Sequence, residues 1–508
     1  HRKVPSSLYM PARSKAYFGF RWARGDKRFD QILARLSGYV IDIKKHNRWF
    51  GDHGWISPAK QALLDDDLER GVRDGAALAL GADPAPLLPK ARKNGRAKTF
   101  TPFPIRRRER PLRIAFISHQ YPPGVVGGVA NWTATLARAL AARGHEISVI
   151  ATSTAGNTVD FEDGVWVHRI ERVWWPDRND PVLPDLPQSL KDHLYSVYDE
   201  VERIADQRGL DLVSWPIWDL EGLAVQAAGR IPTVMSLHTT YGLTLPTKPD
   251  WVSRPDYMRE HVNKIISAEV KALKDSPFIL ANSNQIVADL TAHYDVDLEH
   301  PGVARIPHGL ADISGTVPTR AGRRDSADIT LAFVGRLEAR KGIDVLLAAL
   351  PGLMAHHPAL KVVLCGDDPY ATDGNSYRKA LETRHRWDPW FNRLVFAGAL
   401  DNADLNQLYA DCDIFVAPSR YESFGLVFLE AMMFAKPCVG TRIGGISEVV
   451  EDGVTGLLAE PEDVSSLAEA IDRLVVDADL RRRMGDAGRA RYLELFSDDI
   501  MAKEIERH

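Results

Sequence analysis

Cysteine is scarce: 508 residues hold three, Cys365, Cys412 and Cys438. Each lies in an apolar stretch such as KVVLCGD or KPCVGT, without the paired spacing that binds zinc. They therefore read as reduced, buried thiols of a cytosolic protein rather than as a disulfide frame or a metal knuckle. Long apolar runs are also missing. No tract approaches the ~18 residues that a membrane-spanning helix needs, and no hydrophobic signal segment follows the first residues. A large overall charge is absent too, with 64 Lys and Arg against 68 Asp and Glu and a net charge of −4. The 45% apolar and 26% charged residues are those of an ordinary globular chain of about three domains. Two phosphate-binding fingerprints fail as well. Gly124, Gly127 and Gly128 do not make G-x-G-x-x-G, and G-x-x-x-x-G-K-[ST] occurs nowhere, which weakens dehydrogenase and P-loop readings.

The near-neutral total conceals an asymmetry. Residues 1–110 hold 24 basic and 11 acidic side chains, leaving 40 basic and 57 acidic for the rest. Helical periodicity marks about 27–46 and 58–80, and a linker rich in Pro, Lys and Arg follows over 83–111. From Lys90 to Arg113 there are ten basic residues and one acidic residue, Glu109. Such density favours an anionic lipid surface or a phosphorylated ligand, and its bland alternative is a solvated linker. No nucleic-acid module accompanies it, so no nucleic-acid partner is expected.

At Leu112 the texture changes. LRIAFIS reads as a buried parallel strand, HQYPPGVVGG as a loop, VANWTATLARALAARGH as a helix and EISVIAT as the next strand. The alternation continues through LDLVSWP, TVMSLHT, PFILANS and ARIPHG. After a polar stretch it restarts with ITLAFVGRL, a helix over 341–355, LKVVLCG, RLVFAG, IFVAPS, PCVGT and GLLAE. The fold class is therefore α/β: two facing Rossmann-like doubly wound parallel sheets behind a mainly helical extension. The expected divisions are 1–110 for the extension, 111–312 for an acceptor domain, 313–485 for a donor domain, and 486–508 for a C-terminal helix packing back toward the first sheet domain. Ligands of such sheets lie beyond the carboxyl ends of the strands, which places the site between the two domains.

Three features point to a phosphorylated ligand there. Gly127 and Gly128 open a helix, whose bare amides and dipole suit an anion. Arg336 follows the strand ending near Val334, and Lys341 starts the next helix. At roughly 4 Å and an effective dielectric near 20, each would contribute on the order of 4 kcal/mol toward a diphosphate, enough to stand in for a metal, and none is expected. Ser423, Phe424 and Gly425 make a tight passage into a helix whose first amides, Gly425 to Val427, suit phosphate oxygens, with Glu430 one turn inside to accept from ribose hydroxyls. Glu422 precedes them in the loop. Two helical glutamates eight residues apart would stand about 12 Å apart, outside the range of a hydrolase pair. The Asp pairs at 366–368 and 411–413 border strands and fit ordinary loop chemistry.

Glu422 and Glu430, spaced E-x7-E around SFGLVFL, together with GTRIGGISEVVEDGVTGLLAEPED, GRLEARKG and YPPGVVGGVANWTATLARALAARGHEISVIA, resemble the signature of retaining glycosyltransferase family 4, of GT-B architecture. The resemblance covers about 112–508. It implies that Arg336 and Lys341 bind the diphosphate of a UDP- or GDP-sugar, Glu430 the ribose, and Glu422 with the backbone at Phe424 to Leu426 the transferred sugar. The Gly127–Gly128 loop would close on the phosphate, joined by Leu426 and Val427. His238 would contact sugar and acceptor near the reaction centre. His308 stands where Pro-Asn-Gly is usual.

With no paired Cys or Ser nucleophile, retention is expected to proceed by front-face transfer, the departing phosphate taking the acceptor's proton. Trp174 and Trp175, adjacent in a polar loop, are candidates to stack on a glycan acceptor. The expected reaction is hexose transfer to a glycan or lipid-linked acceptor in cell-surface polysaccharide assembly, in the cytoplasm and peripherally on its membrane face through residues 1–110. A nucleotide-sugar epimerase and a non-catalytic nucleotide-sugar-binding partner are the alternatives.

Overall fold

The computed structural model describes residues 7–22, 29–80, 111–123, 127–318, 328–368 and 376–508. Most of the basic segment from Lys90 onward, and Gly124 of the glycine loop, lie outside them. The chain forms two compact units, one up to Pro102 and one from Phe103 onward.

The first unit contains α1 (Tyr9–Trp22), α2 (Phe29–Asp52) and α3 (Pro58–Leu80). The sequence periodicity anticipated only the last two. In α1, Ala12, Ala16 and Phe20 recur every four residues and are buried, the stripe an amphipathic helix presents to a core. It faces Gly71 and Gly75 of α3. A Cβ at Gly71 would fall 2.4 Å from the Tyr9 carbonyl oxygen, and one at Gly75 2.1 Å from that of Arg13, so the two backbones touch only because both are glycine.

The second unit holds two sheets. The first has eight strands: β1 (Arg113–Ile117), β2 (Glu146–Thr152), β3 (Thr158–Glu162), β4 (Val165–Ile170), β5 (Leu212–Pro216), β6 (Thr233–Ser236), β7 (Ile279–Ala281) and β8 (Val303–Arg305). Their order is β3-β4-β2-β1-β5-β6-β7-β8, parallel except for β3. That antiparallel edge was not expected. Glu162 pairs with Val165 across Asp163–Gly164, both at positive φ, the two-residue Asp-Gly hairpin that matches strand twist. β1 and β2 form the central run, buried on both faces between α4 (Gly128–Ala142) and α5 (Gln188–Arg208).

The second sheet has six parallel strands: β9 (Ile329–Val334), β10 (Leu360–Cys365), β11 (Leu394–Gly398), β12 (Ile414–Val416), β13 (Cys438–Thr441) and β14 (Gly456–Ala459). Their order is β11-β10-β9-β12-β13-β14, so GT-B architecture is what the chain adopts. Cys365, Cys412 and Cys438 are buried and form no disulfide.

The chain crosses between the sheets twice. Its end forms two helices rather than one, because the Ser497 hydroxyl accepts from the Ile500 amide and caps a new start. The helix Ala478–Leu495 buries Met484 and Tyr492 in the second sheet's cores. The helix Asp498–Ile505 places Met501 and Ala502 in the core of the first sheet, beside Trp132 and Ile306. The two crossings lie side by side: the Leu310 amide donates to the Phe496 carbonyl at 2.9 Å, and the Asp498 amide to that of Leu310 at 3.0 Å.

Candidate active site

Two adjoining cavities lie at the carboxyl edges of the sheets, about 350 and 500 Å³ in volume. The first is lined by His238, His308, Arg340, Lys341, Glu422, Ser423, Phe424, Gly425, Leu426, Val427 and Glu430, with Gly128 opposite. The second is lined by Gly127, Gly128, Trp218, Asp219, Glu221, Thr244, Lys248, Trp251, Arg336 and Arg340. Arg336 and Lys341, read from sequence as one pair of cations, thus enter different cavities, and Arg340 belongs to both.

The second sheet supplies the charges, and glycine sets their positions. Gly342 lies at φ +66, and a Cβ there would meet the Pro418 carbonyl oxygen at 1.8 Å, so the RKG turn packs flat on the loop after β12. That contact delivers Lys341 to Glu422, with which it forms a buried ion pair. The Ser419 hydroxyl donates to the same carboxylate oxygen at 3.1 Å, and Arg340 stands 3.7 Å from the other. Burial alone would raise the Glu422 carboxyl, but Lys341 and Arg340 outweigh it and hold it below its ordinary value. Burial lowers Lys341, with Glu422 opposing. Gly444 and Gly445 pack against the backbone of 422–424, since a Cβ on either would strike the Glu422 or Ser423 carbonyl oxygen. This explains the paired glycines of GTRIGGISE.

Gly425 at φ +97 caps the helix Leu426–Met433 without a side-chain acceptor, which leaves its leading amides directed at the cavity. Glu430, one turn inside, accepts from the Tyr409 hydroxyl at 2.6 Å. Burial raises its carboxyl, with Tyr409 and Lys341 partly offsetting. Across the gap, an added Cβ on Gly128 would lie 3.6 Å from Leu426 Cδ1. The Gly127 amide is already bonded to Gln120 Oε1 at 3.0 Å.

Sequence reading missed Glu338, although it lies within GRLEARKG. Its buried carboxylate takes Arg336 at 3.0 Å, Arg340 at 3.1 Å and, from the first sheet domain, Lys248 at 3.5 Å. Burial opposes its ionisation, and Arg340, Arg336 and Lys248 overcome it. Four cations therefore converge on two carboxylates, Glu338 and Glu422. Asp219 and Glu430 line the same two cavities.

The first sheet supplies neutral groups. His238 follows β6 and is buried, its ring 5.1 Å from Trp132 and 5.4 Å from His308. His308 in turn stands 5.0 Å from Phe424 of the other domain, and its Nε2 is 3.1 Å from Asn282 Nδ2. Burial pushes His238 down to about 3 and, with His238 beside it, carries His308 well below its ordinary value, so both rings are uncharged at neutral pH. The residue that departs from Pro-Asn-Gly is thus part of the cavity wall. Trp174 and Trp175 line neither cavity. Trp174 is 72% exposed, and Trp175 packs on the core with Arg178 over its ring. The loop separates the two indoles instead of presenting both, and the cleft's aromatic faces are Trp218 and Trp251.

Comparison with known proteins follows the same division of the chain. The Glycosyltransferase Family 4 profile matches residues 126–310, and the Glycosyl transferases group 1 profile matches residues 319–491. A D-inositol 3-phosphate glycosyltransferase of an Arthrobacter species is 29% identical over 75% of this chain and 90% of its own length. A glycogen synthase of Mycobacterium tuberculosis is 28% identical over 77% and 92%. Among solved structures, the sucrose-phosphate synthase of Thermosynechococcus elongatus superposes with a TM-score of 0.62 at 24% identity, covering 78% of this chain and 98% of that one. Anabaena HepE in complex with UDP and glucose gives 0.57 at 20%, covering 78% and 98%. With both halves of the two-sheet unit matched, and the charged junction lying where the two profiles meet in space, the chain belongs to the GT-B glycosyltransferases of the family 4 type.

Proposed function

We propose that this glycosyltransferase is a retaining hexosyltransferase that takes its sugar from a UDP- or GDP-sugar and transfers it to a hydroxyl of a glycan or lipid-linked acceptor in cell-surface polysaccharide assembly. The observation that carries the reading is the convergence of Lys248, Arg336, Arg340 and Lys341 on Glu338 and Glu422 at the cleft, an arrangement of fixed cations suited to a diphosphate. Anabaena HepE has been solved with UDP-glucose, which supports a nucleotide-sugar donor on this fold.

The chemistry follows from the pairing. Glu422 accepts from Lys341 and Ser419 on one oxygen and faces Arg340 with the other. An ionised, fully engaged carboxylate is a poor nucleophile but a good anchor for cations. As the bond from the anomeric carbon to the diphosphate breaks, charge grows on the leaving oxygen between Lys341, Arg340 and the amides at Gly425 to Val427. Fixed donors of this kind act mainly on that growing charge. The acceptor oxygen bonds the same face of the anomeric carbon and its proton passes to the departing phosphate, which accounts for retention without a covalent enzyme intermediate. Neutral His238 offers a hydrogen bond at the sugar without competing for the proton.

A panel of nucleotide sugars in a thermal-shift assay tests the donor, since a ligand at 100 times its dissociation constant stabilises by about 2.7 kcal/mol. The anomeric configuration of the product by NMR tests retention. An inverted product, or no donor in the panel that shifts the melting temperature, would end this reading. Peripheral membrane attachment rests on the basic composition of 1–110 together with exposed Trp49 and Trp55. The full chain should sediment with anionic vesicles, and equal binding to neutral vesicles would remove the membrane role.

A further inference from the structure

Behind the first sheet's side of the cleft lies a carboxylate that the transfer chemistry does not touch. Glu269, on the helix Asn263–Asp275, is fully buried and lines neither cavity. Burying a carboxylate is a costly way to fill space, so its donors define its purpose. Its Oε1 accepts from the Tyr241 amide at 2.8 Å, and its Oε2 from the Tyr294 hydroxyl. Tyr294 ends the helix Asn284–Tyr294; its oxygen also accepts from the Gly242 amide at 3.1 Å and lies 2.9 Å from Thr240 Oγ1. A Cβ on Gly242 would fall 2.4 Å from that oxygen and 2.6 Å from His293 Nε2, so only glycine lets the two segments meet. Both arms of the carboxylate thus end on one turn, Thr240–Gly242. That turn starts two residues after His238, and Thr239 between them lines both cavities. From it the Tyr241 ring stacks between Trp218, 4.8 Å away, and Trp251, 5.2 Å away, while its hydroxyl donates to Asp219 at 2.8 Å.

We propose that Glu269 is a positioning residue for glycosyl transfer: by fixing Thr240–Gly242 it sets His238 and Thr239 on one side of the turn and the Trp218–Trp251 stack on the other. The inference rests on the transfer reading above and adds the group that holds the cleft's neutral side in place. Burial pushes Glu269 up to about 7, with Asp219 adding to it and the Tyr294 hydroxyl and the Tyr241 and Gly242 amides opposing. The titratable groups around it are Asp219, Tyr241, Tyr294, His293 beyond Gly242, and His261, 6.3 Å from the Tyr241 ring. Above neutrality the ionised carboxylate accepts from Tyr294, and a bond to an anion is roughly twice as strong as a neutral one. Below it the carboxyl carries its own proton and donates to the Tyr294 oxygen, whose hydroxyl turns to Thr240 Oγ1, already an acceptor for the Leu243 amide at 3.3 Å. The ionised form is the one that holds the turn.

The test uses the full-length protein with UDP-glucose or GDP-mannose, whichever raises its melting temperature, and reads release of nucleoside diphosphate with water taking the sugar. Glu269→Gln keeps the size and mimics the protonated acid. At pH 8 it should lower kcat by about tenfold or more and leave the donor KM within about twofold, because misplacement by a distant residue acts on the reacting geometry. The parent's kcat should fall toward that of the variant between pH 8 and pH 6, and the variant should lack this limb. Tyr294→Phe removes a bond that favours the carboxylate and should move the limb to higher pH; it carries the test should Glu269→Gln not fold. A variant that keeps both the parent's kcat at pH 8 and its limb overturns the inference, as does a limb unmoved in Tyr294→Phe. If the parent releases no nucleotide, hydrogen exchange of the segment 237–245 decides. Its protection, corrected for the intrinsic pH dependence of exchange, should drop from pH 8 to pH 6 in the parent and stay flat in Glu269→Gln; identical behaviour in the two proteins overturns the proposal. Absence of any donor that raises the melting temperature would instead sink the underlying reading.

Discussion

The two walls of the cleft are built on opposite principles. The wall from the second sheet is ionic: Lys341, Arg340 and Arg336 are braced on Glu422 and Glu338 and set beside a glycine-capped helix start. The wall from the first sheet is mostly neutral, with two uncharged histidines backed by buried Trp132, and with Trp218 and Trp251. The ionic wall keeps its cations in position before any ligand arrives, so a phosphorylated donor meets charges that need little rearrangement. The neutral wall has few charges to commit and discriminates by shape and by hydrogen bonds. Asp219, bonded to the Tyr241 hydroxyl, and Lys248, a cation that leaves the neutral side to bond Glu338 across the gap, are exceptions.

Breaking the ionic wall should have the largest effect. Lys341→Ala leaves Glu422 buried without its closest cation, and unpaired buried charges of this kind cost about 3–5 kcal/mol. Both denaturant stability and turnover should fall steeply, by about a thousandfold for kcat. A variant that keeps more than a tenth of the activity would show that the charge is supplied elsewhere. Glu430→Gln should be milder and confined to the donor, raising its KM by about tenfold or more while the acceptor KM holds; a split in the opposite sense would place Glu430 on the acceptor.

The neutral wall can be sharpened through pH. The folded-state value of His238 is depressed from 6.5 to about 3, so the unfolded chain binds the extra proton first. Stability should therefore decline as pH falls from 6.5 toward 3, by about 1.4 kcal/mol per pH unit for this group. His238→Gln should remove that slope in urea melts at pH 6.5 and pH 5, and a slope identical to the parent's would refute a buried neutral ring. Glu221 has the opposite sign: raised to about 8, it contributes stability that is lost as pH rises from about 4.5 toward 8. Trp174→Ala should do least, within about 0.5 kcal/mol of the parent and with an unchanged acceptor KM, because its indole is exposed and lines neither cavity.

Most of the ionic wall was legible in the sequence because it is local. VGRLEARKG runs from a strand end to a glycine turn within nine residues, and ESFGLVFLE, shortly after the strand Ile414–Val416, holds a glycine turn and a helix start, so spacing sets Lys341, Gly425 and Glu430 near strand ends. Glu338 and Arg340 lie in the same quoted segment, yet their role depends on Lys248, 90 positions away, and no local pattern announces such a pair. The neutral wall was less legible. His308 stood out only as a departure from a familiar triplet, and Trp218 resembled any core tryptophan until Tyr241 and Trp251 were seen stacked beside it. Tryptophans ranked by polar surroundings led to Trp174 and Trp175, which line neither cavity, whereas the indoles that do are held in a stack assembled from segments 33 residues apart, Trp218 to Trp251. The Asp163–Gly164 hairpin was written in plain turn chemistry and lost among strands of parallel type.

The paired crossings at Leu310 and Ser497 impose a rule on how the enzyme breathes. Two chain segments bonded to each other act as a single axle, so the halves can swing but cannot slide past one another. During such a swing every neighbour within a half stays the same, and contacts drawn from both halves are remade, among them Gly128 with Leu426, Lys248 with Glu338, His308 with Phe424, the Ser283 hydroxyl with the Ser423 carbonyl, and the Glu448 carboxylate with the Asn284 and Gln285 amides. Substrate entry and product exit would thus turn on a few small meetings of opposite shores, apolar, ionic and hydrogen-bonded in kind.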